Sequence, residues 1–349
     1  MHMADALLSP AVGGMMWAAT AVTVGYSSRQ LRKAADDSRI PLMGVLGAFV
    51  FTAQMINFTI PATGSSGHLG GGLLLAILLG PHAAFLTIAS VLTIQALFFA
   101  DGGLLALGAN VFNLGFFPCF VAYPFLYRPL AGAKPSAGRI ALASVAAGVA
   151  GLQLGALGVV AETVGSGISS LPFRNFVLLM LPIHLAIGLV EGMVTAAVVN
   201  FVRQADPTLL QAETASSGRR QVIGRVGLAL LLAAALTGGF FAWFASTRPD
   251  GLEWSIAGVT GSEELPAAEQ PGIKAGLATL QKRLAFLPDY GFPVVAESAA
   301  PAQGEEKVAW PAVDRGTSTA GLVGGLMTLA LAGVVGVALR RGRQTRRAP

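Results

Sequence analysis

The stretch Leu178-Leu179-Met180-Leu181-Pro182-Ile183-His184-Leu185-Ala186-Ile187-Gly188-Leu189-Val190-Glu191 decides the class of this chain. It sits inside an apolar segment running over 173–202. A helix rises 1.5 Å per residue, so roughly 20 apolar residues cross the ~30 Å hydrocarbon core of a bilayer. Only His184 and Glu191 interrupt the quoted run. They lie seven residues apart and therefore share one helical face. Ionisable groups at membrane depth are expensive, and they turn toward a bundle interior or an aqueous path. A conformational network and a buried structural hydrogen bond are both open roles for this pair.

Eight more apolar segments lie around it, over 10–28, 41–60, 69–80, 82–100, 104–127, 139–162, 222–246 and 317–339. The 349 residues are 54% hydrophobic and only 12% charged, with mean hydropathy +0.65. A soluble domain carries roughly twice that share of charge, which excludes that class. The third segment is too short for a full span and follows a Gly/Ser-rich loop, so it reads as tilted or re-entrant and lined by protein. The lone cysteine, Cys119, allows no intrachain disulfide and no thiolate cluster.

The sequence pI near 9.7 does not point to nucleic acid, because the basic residues flank apolar segments. Arg29, Arg32, Lys33, Arg39, Arg128, Lys134, Arg139, Arg203, Arg219, Arg220 and Arg225 fall in alternate connections, and Arg340, Arg341, Arg343, Arg346 and Arg347 in the tail. The positive-inside rule then sets the N-terminus outside and the C-terminus in the cytoplasm. The expected fold is all-α and polytopic. A seven-helix bundle over 1–203 is followed by a polar cytoplasmic linker over 204–221. Residues 222–349 form an accessory unit of two transmembrane helices around an extracytoplasmic loop, 247–316. That loop holds more than half of the 18 acidic residues.

Chemistry concentrates on Met1-His2 and on Gly64-Ser65-Ser66-Gly67-His68. The Met1 amine, the His2 peptide nitrogen and the His2 imidazole close chelate rings of about five and six members, with the three nitrogens near one plane. A fourth nitrogen from His68 completes a square, a geometry that suits Ni(II) or Cu(II) better than tetrahedral Zn(II). The expectation requires that Met1 be retained, which the bulky His2 favours. It also requires that no signal peptide be removed, and no basic n-region precedes the first apolar segment. Gln54, Asn57, Ser66, Gln95, Asn110, Asn113 and His184 are candidates to orient the two imidazoles by hydrogen bonds, as metal ligands generally need. Interhelical hydrogen bonding is their competing role. Asp101, before Gly102-Gly103, reads as a loop cap, and His82, after Gly80-Pro81, as a solvated helix cap.

The chain has no Gly-x-x-x-x-Gly-Lys-Ser/Thr phosphate loop, no His-Glu-x-x-His and no Gly-x-Ser-x-Gly. It does not read as an enzyme, and any ATP hydrolysis falls to a separate chain. A self-sufficient cation channel or secondary transporter is the alternative. It calls for an ionisable relay, for which only Glu162, His184 and Glu191 are available.

Met1-His2, Leu8-Ser9-Pro10, Ala53-Gln54-Met55-Ile56-Asn57-Phe58, Gly64-Ser65-Ser66-Gly67-His68, Gln95-Ala96-Leu97, the run from Asp101 to Asn110, and Glu191-Gly192 resemble the substrate-binding membrane component of nickel/cobalt energy-coupling-factor transporters. Residues 222–339, with Pro249-Asp250-Gly251-Leu252-Glu253-Trp254, resemble that family's small accessory component, here fused behind the first. The resemblance implies a seven-helix bundle whose inserted N-terminus holds the metal through Met1, His2 and His68. The ion, nickel or cobalt, is the transported substrate, and no organic cofactor is expected. Implied partners are a transmembrane coupling component and cytoplasmic ATP-binding subunits, in a prokaryotic cell (inner) membrane. The loop Ser66-Gly67-His68-Leu69-Gly70 is closer to nickel-type members. The family's usual Ile-Pro-Asp-Gly-Phe after Met-His is replaced by Met3-Ala4-Asp5-Ala6-Leu7.

Overall fold

The computed structural model describes residues 2–33, 40–169, 171–205, 219–263, 265, 272–293 and 310–344. Met1, which supplies the proposed amine, lies outside the described residues.

Each of the nine apolar segments carries a helix, in the order Pro10–Lys33 (α1), Ile40–Gln54 (α2), Gly72–Leu79 (α3), Pro81–Phe98 (α4), Leu107–Val111 (α5) continuing to Arg128–Ala131 (α6), Ala137–Ser166 (α7), Phe173–Ala205 (α8), Arg219–Gly239 (α9) and, last, Arg315–Gln344 (α12). Two short amphipathic helices, Gly251–Thr260 (α10) and Ile273–Leu284 (α11), precede α12. Among the described residues, five helices are long and apolar enough to cross a membrane, and Pro41–Gln54 and Gly224–Gly239 are shorter apolar helices. Among the described residues, the helices that meet this length are thus fewer than the apolar segments. The third segment explains part of the difference. All of α3 except Leu78 is buried, so eight residues suffice because protein, not lipid, surrounds them.

Between α5 and α6 the backbone widens to a π-helical stretch, Phe112–Tyr127, which contains Pro118 and Pro124. A proline ring clashes with the carbonyl four residues back, and a wider turn relieves that clash. Small residues set the closest helix crossings. A Cβ on Gly188 of α8 would lie 2.8 Å from the Val149 Cα of α7, and one on Gly108 would lie 2.5 Å from the Trp17 backbone nitrogen of α1. Only glycine lets these backbones approach so closely. The accessory helices dock on α2, where Gly44 and Gly47 face Leu329 and Thr328 of α12.

The loops at one end of the bundle carry the candidate site. Phe58–Thr59 (β1) and Ser66–Gly67 (β2) pair antiparallel, Phe58 opposite Gly67. Gly64 takes a left-handed φ of +80° to turn this hairpin. The N-terminal segment 2–8 runs inward beside it, with Met3, Leu7 and Leu8 buried.

Candidate metal site

Asn110 on α5 holds the N-terminal segment as a strand partner would. Its Oδ1 accepts from Met3 N at 2.8 Å and its Nδ2 donates to Met3 O at 3.2 Å. Gly103 N also donates to Met3 O at 2.9 Å, and Ala106 N donates to the Asp5 carboxylate at 3.0 Å. A chain end is normally frayed. Here the Met3 backbone and the Asp5 side chain are bonded to the bundle, and His2 is delivered to a defined place.

There the His2 and His68 rings lie side by side, with centroids 5.0 Å apart and planes inclined by 25°. His2 Nδ1 is 2.7 Å from Asp101 Oδ1, and His2 Nε2 is buried with no hydrogen-bond partner among the described residues. His68 Nδ1 lies 3.1 Å from the Leu69 carbonyl. Burial above all pushes the His68 ring down to about 3, so it is neutral at neutral pH. Burial alone would raise the Asp101 carboxyl. The electrostatic interaction with His2 and hydrogen bonds from His2 and Tyr290 instead hold it well below the usual carboxylate range.

Asp101 is therefore no loop cap. It is the hydrogen-bond partner of a candidate ligand, and only the fold brings it there, 99 residues along the chain. The six-membered chelate ring uses His2 Nδ1, the nitrogen now bonded to Asp101.

The hairpin carrying His68 is anchored from both sides. Gln54 Nε2 donates to Gly70 O at 2.8 Å, and Gln95 Nε2 donates to Gln54 Oε1 at 3.0 Å. Glu191 Oε2 and Oε1 accept from Gly70 N at 2.8 Å and Gly71 N at 3.1 Å. Ser66 turns away from the imidazoles: its hydroxyl donates to Arg248 O at 2.7 Å, and its N–H to Pro249 O at 2.8 Å. His184 lines a small cavity with Gly67, His68, Asp250 and Gly251. Its Nδ1 is 2.8 Å from Met180 O, and its Nε2 has no hydrogen-bond partner among the described residues.

One of the candidates lies elsewhere: Asn113 donates to Glu162 at 2.8 Å within the bundle. Asn57 directly precedes β1, at the end of the hairpin where His68 follows β2, and its main-chain carbonyl accepts from Ser246 N at 2.7 Å. His82 is not a solvated cap, since its ring packs against Tyr26 and Phe120. Besides Asp101, sequence reasoning did not find Tyr290, whose hydroxyl donates to Asp101 Oδ2 at 2.5 Å. It also missed the capping box of α10, in which Asp250 Oδ1 accepts from Leu252 N and Glu253 N while Glu253 Oε2 accepts from Asp250 N. The Asp-x-x-Glu spacing was a readable signal for that box. Tyr290 left none.

Among the described residues, no three His, Cys, Asp or Glu side chains are grouped to hold one ion. A donor set built on two imidazoles and main-chain nitrogens does not require such a group.

A family model for the cobalt uptake substrate-specific transmembrane region, CbiM, matches residues 2–209, and one for the PDGLE domain matches 224–341. A chain of Archaeoglobus fulgidus assigned to the fused nickel transport proteins is 34% identical over 351 residues, covering 99% of this chain and 100% of that one. The fused nickel transport protein NikMN of Rhodobacter capsulatus is 31% identical over 322 residues, 86% of this chain and 90% of its own length. A crystal structure of a transition metal transporter superposes with a TM-score of 0.53 at 30% identity, over 65% of this chain and 99% of that one. With its first 200 residues arranged around an inserted N-terminus and its PDGLE segment closed over the same end, this chain belongs to the family of cobalt uptake substrate-specific transmembrane regions, joined here to a PDGLE domain.

Proposed function

We propose that this chain is the substrate-capturing subunit of an ATP-driven, energy-coupling-factor type importer for Ni(II), or Co(II). The ion is taken from the extracytoplasmic side by the Met1 amine, the His2 amide and ring, and His68. The observation that carries this reading is the pair of stacked imidazoles, His2 and His68, at the point where Asn110 pins the inserted N-terminus. The names of the fused relatives favour nickel. Two units make up the chain, a metal-binding bundle over 1–203 and an accessory unit over 222–349, with the N-terminus outside and the C-terminus in the cytoplasm. Because the sequence lacks a phosphate loop, a coupling component and ATP-binding subunits complete the importer.

Metal uptake by cells making the chain with its partners tests this. His2→Ala and His68→Ala abolish uptake, as does one residue added before Met1, which displaces the amine. His82→Ala leaves uptake unchanged. Normal uptake by the extended variant overturns the chelate, and uptake in cells without any ATP-binding partner replaces the importer with a channel or secondary transporter.

A further inference from the structure

One carboxylate joins the two units at the candidate site. Asp101 Oδ1 meets His2 Nδ1 at 2.7 Å, and Asp101 Oδ2 accepts from the Tyr290 hydroxyl at 2.5 Å. Tyr290 comes from the PDGLE unit, 189 residues beyond Asp101. We propose that Tyr290 is a positioning residue for metal capture, acting on His2 through Asp101. The inference rests on the metal site proposed above and names the route by which the accessory unit reaches it.

The surroundings of Tyr290 are built to hold it. Its ring stacks on Phe99, with centroids 5.1 Å apart and planes at 17°, and meets the edge of Phe51 at 6.2 Å. Asp289 N donates to Phe99 O at 2.8 Å. Asp289 and Tyr290 take left-handed φ values of 50° and 60°, a region that residues with side chains seldom adopt. Gln281 on α11 donates to Ala96 O at 2.8 Å and to Gly102 O at 2.7 Å, one on each side of Asp101. The accessory loop therefore clasps the 96–102 segment on both flanks and sets the phenol against its carboxylate.

The consequence lies in which His2 nitrogen is open. A ring that donates Nδ1–H to a carboxylate keeps its lone pair on Nε2. An ion chelated with the His2 amide takes Nδ1 instead, so the ring must leave Asp101 as the ion binds. Tyr290 keeps Asp101 in place during that exchange. The carboxylate neither follows the ring nor blocks the ion, and its charge stays paired and beside the bound cation. Burial and the neighbouring Asp101 charge both keep the Tyr290 phenol protonated, as a donor must be.

The test uses the full chain, purified, with Ni(II) affinity measured by chelator competition and the site read by the visible and EPR spectra of bound Cu(II). Tyr290→Phe is expected to weaken binding about 10–100-fold and to alter the Cu(II) spectrum. Trp243→Phe is the comparison. It removes the indole hydrogen bonds to Asp314 O and Ser318 Oγ within the accessory unit and does not touch Asp101. It is expected to bind as the unaltered chain does.

Tyr290→Phe binding within twofold of the unaltered chain, or losing no more than Trp243→Phe, overturns the proposal. Should Tyr290→Phe fail to fold, Asp101→Asn decides: weakened binding with a changed spectrum supports the route, and unchanged binding overturns it. His2→Ala separates the two levels. If it still binds as the unaltered chain does, the site itself is misassigned. If it loses binding while Tyr290→Phe does not, only the route through Tyr290 fails.

Discussion

The Glu191 carboxylate accepts the Gly70 N–H at 2.8 Å, two residues beyond His68, and its other oxygen takes the Gly71 N–H at 3.1 Å. A buried carboxylate that satisfies two consecutive N–H groups is a clamp on the loop carrying His68. Glu191→Ala leaves both N–H groups buried and unpaired, at about 1–3 kcal/mol each. The expected result is a lower unfolding temperature together with weaker Ni(II) binding. Unfolding curves and chelator competition on the same preparation check it. Glu191→Gln, which keeps one acceptor, falls between.

Asn110 bonds both the N–H and the carbonyl of Met3. Asn110→Ala releases the N-terminal segment, so an aminopeptidase that leaves the unaltered chain intact trims the variant. Mass spectrometry of the products reads this directly, and trimming at equal rates in both proteins counts against an inserted terminus.

An ion held at His2, as proposed, would stabilise the folded chain by mass action. At one hundred times its dissociation constant the gain is about 2.7 kcal/mol. Ni(II) therefore raises the unfolding temperature of the unaltered chain, excess chelator reverses the rise, and His2→Ala shows none. A rise retained in His2→Ala locates the ion elsewhere.

Gly108 lies where a Cβ would stand 2.5 Å from the Trp17 backbone nitrogen, whereas Gly14 on the outer side of α1 has open space. Gly108→Ala forces α1 and α5 apart and costs about 1–3 kcal/mol. Gly14→Ala leaves the unfolding temperature unchanged. Thermal unfolding of the two variants in parallel checks the contrast.

Much of the architecture was legible because its cause is local and additive. Apolar runs such as 173–202 must be helical in lipid, where each backbone group needs an internal partner. The same reasoning read the third segment, 69–80, as tilted or re-entrant and lined by protein because it is too short to span, and α3 within it is buried in protein. Asn110, Gln54 and Gln95 were legible as polar groups in apolar helices, which must find partners. Asn113 satisfied the same requirement with Glu162 within the bundle, and nothing in its spacing distinguished it.

From its residue order alone, this chain could be read as helical and membrane-embedded, with His2 and His68 as the two imidazoles worth bringing together. Periodicity, hydropathy and the chemistry of single side chains carry that much. Only the tertiary structure decided that Asp101 holds His2, that Glu191 clamps the His68 loop, and that Tyr290 reaches the same carboxylate from the far end of the chain. Those contacts span 99, 121 and 189 residues. Hydrogen bonds act over about 3 Å, so such partners are set by how the helices pack and leave no trace in the spacing of the residues that make them.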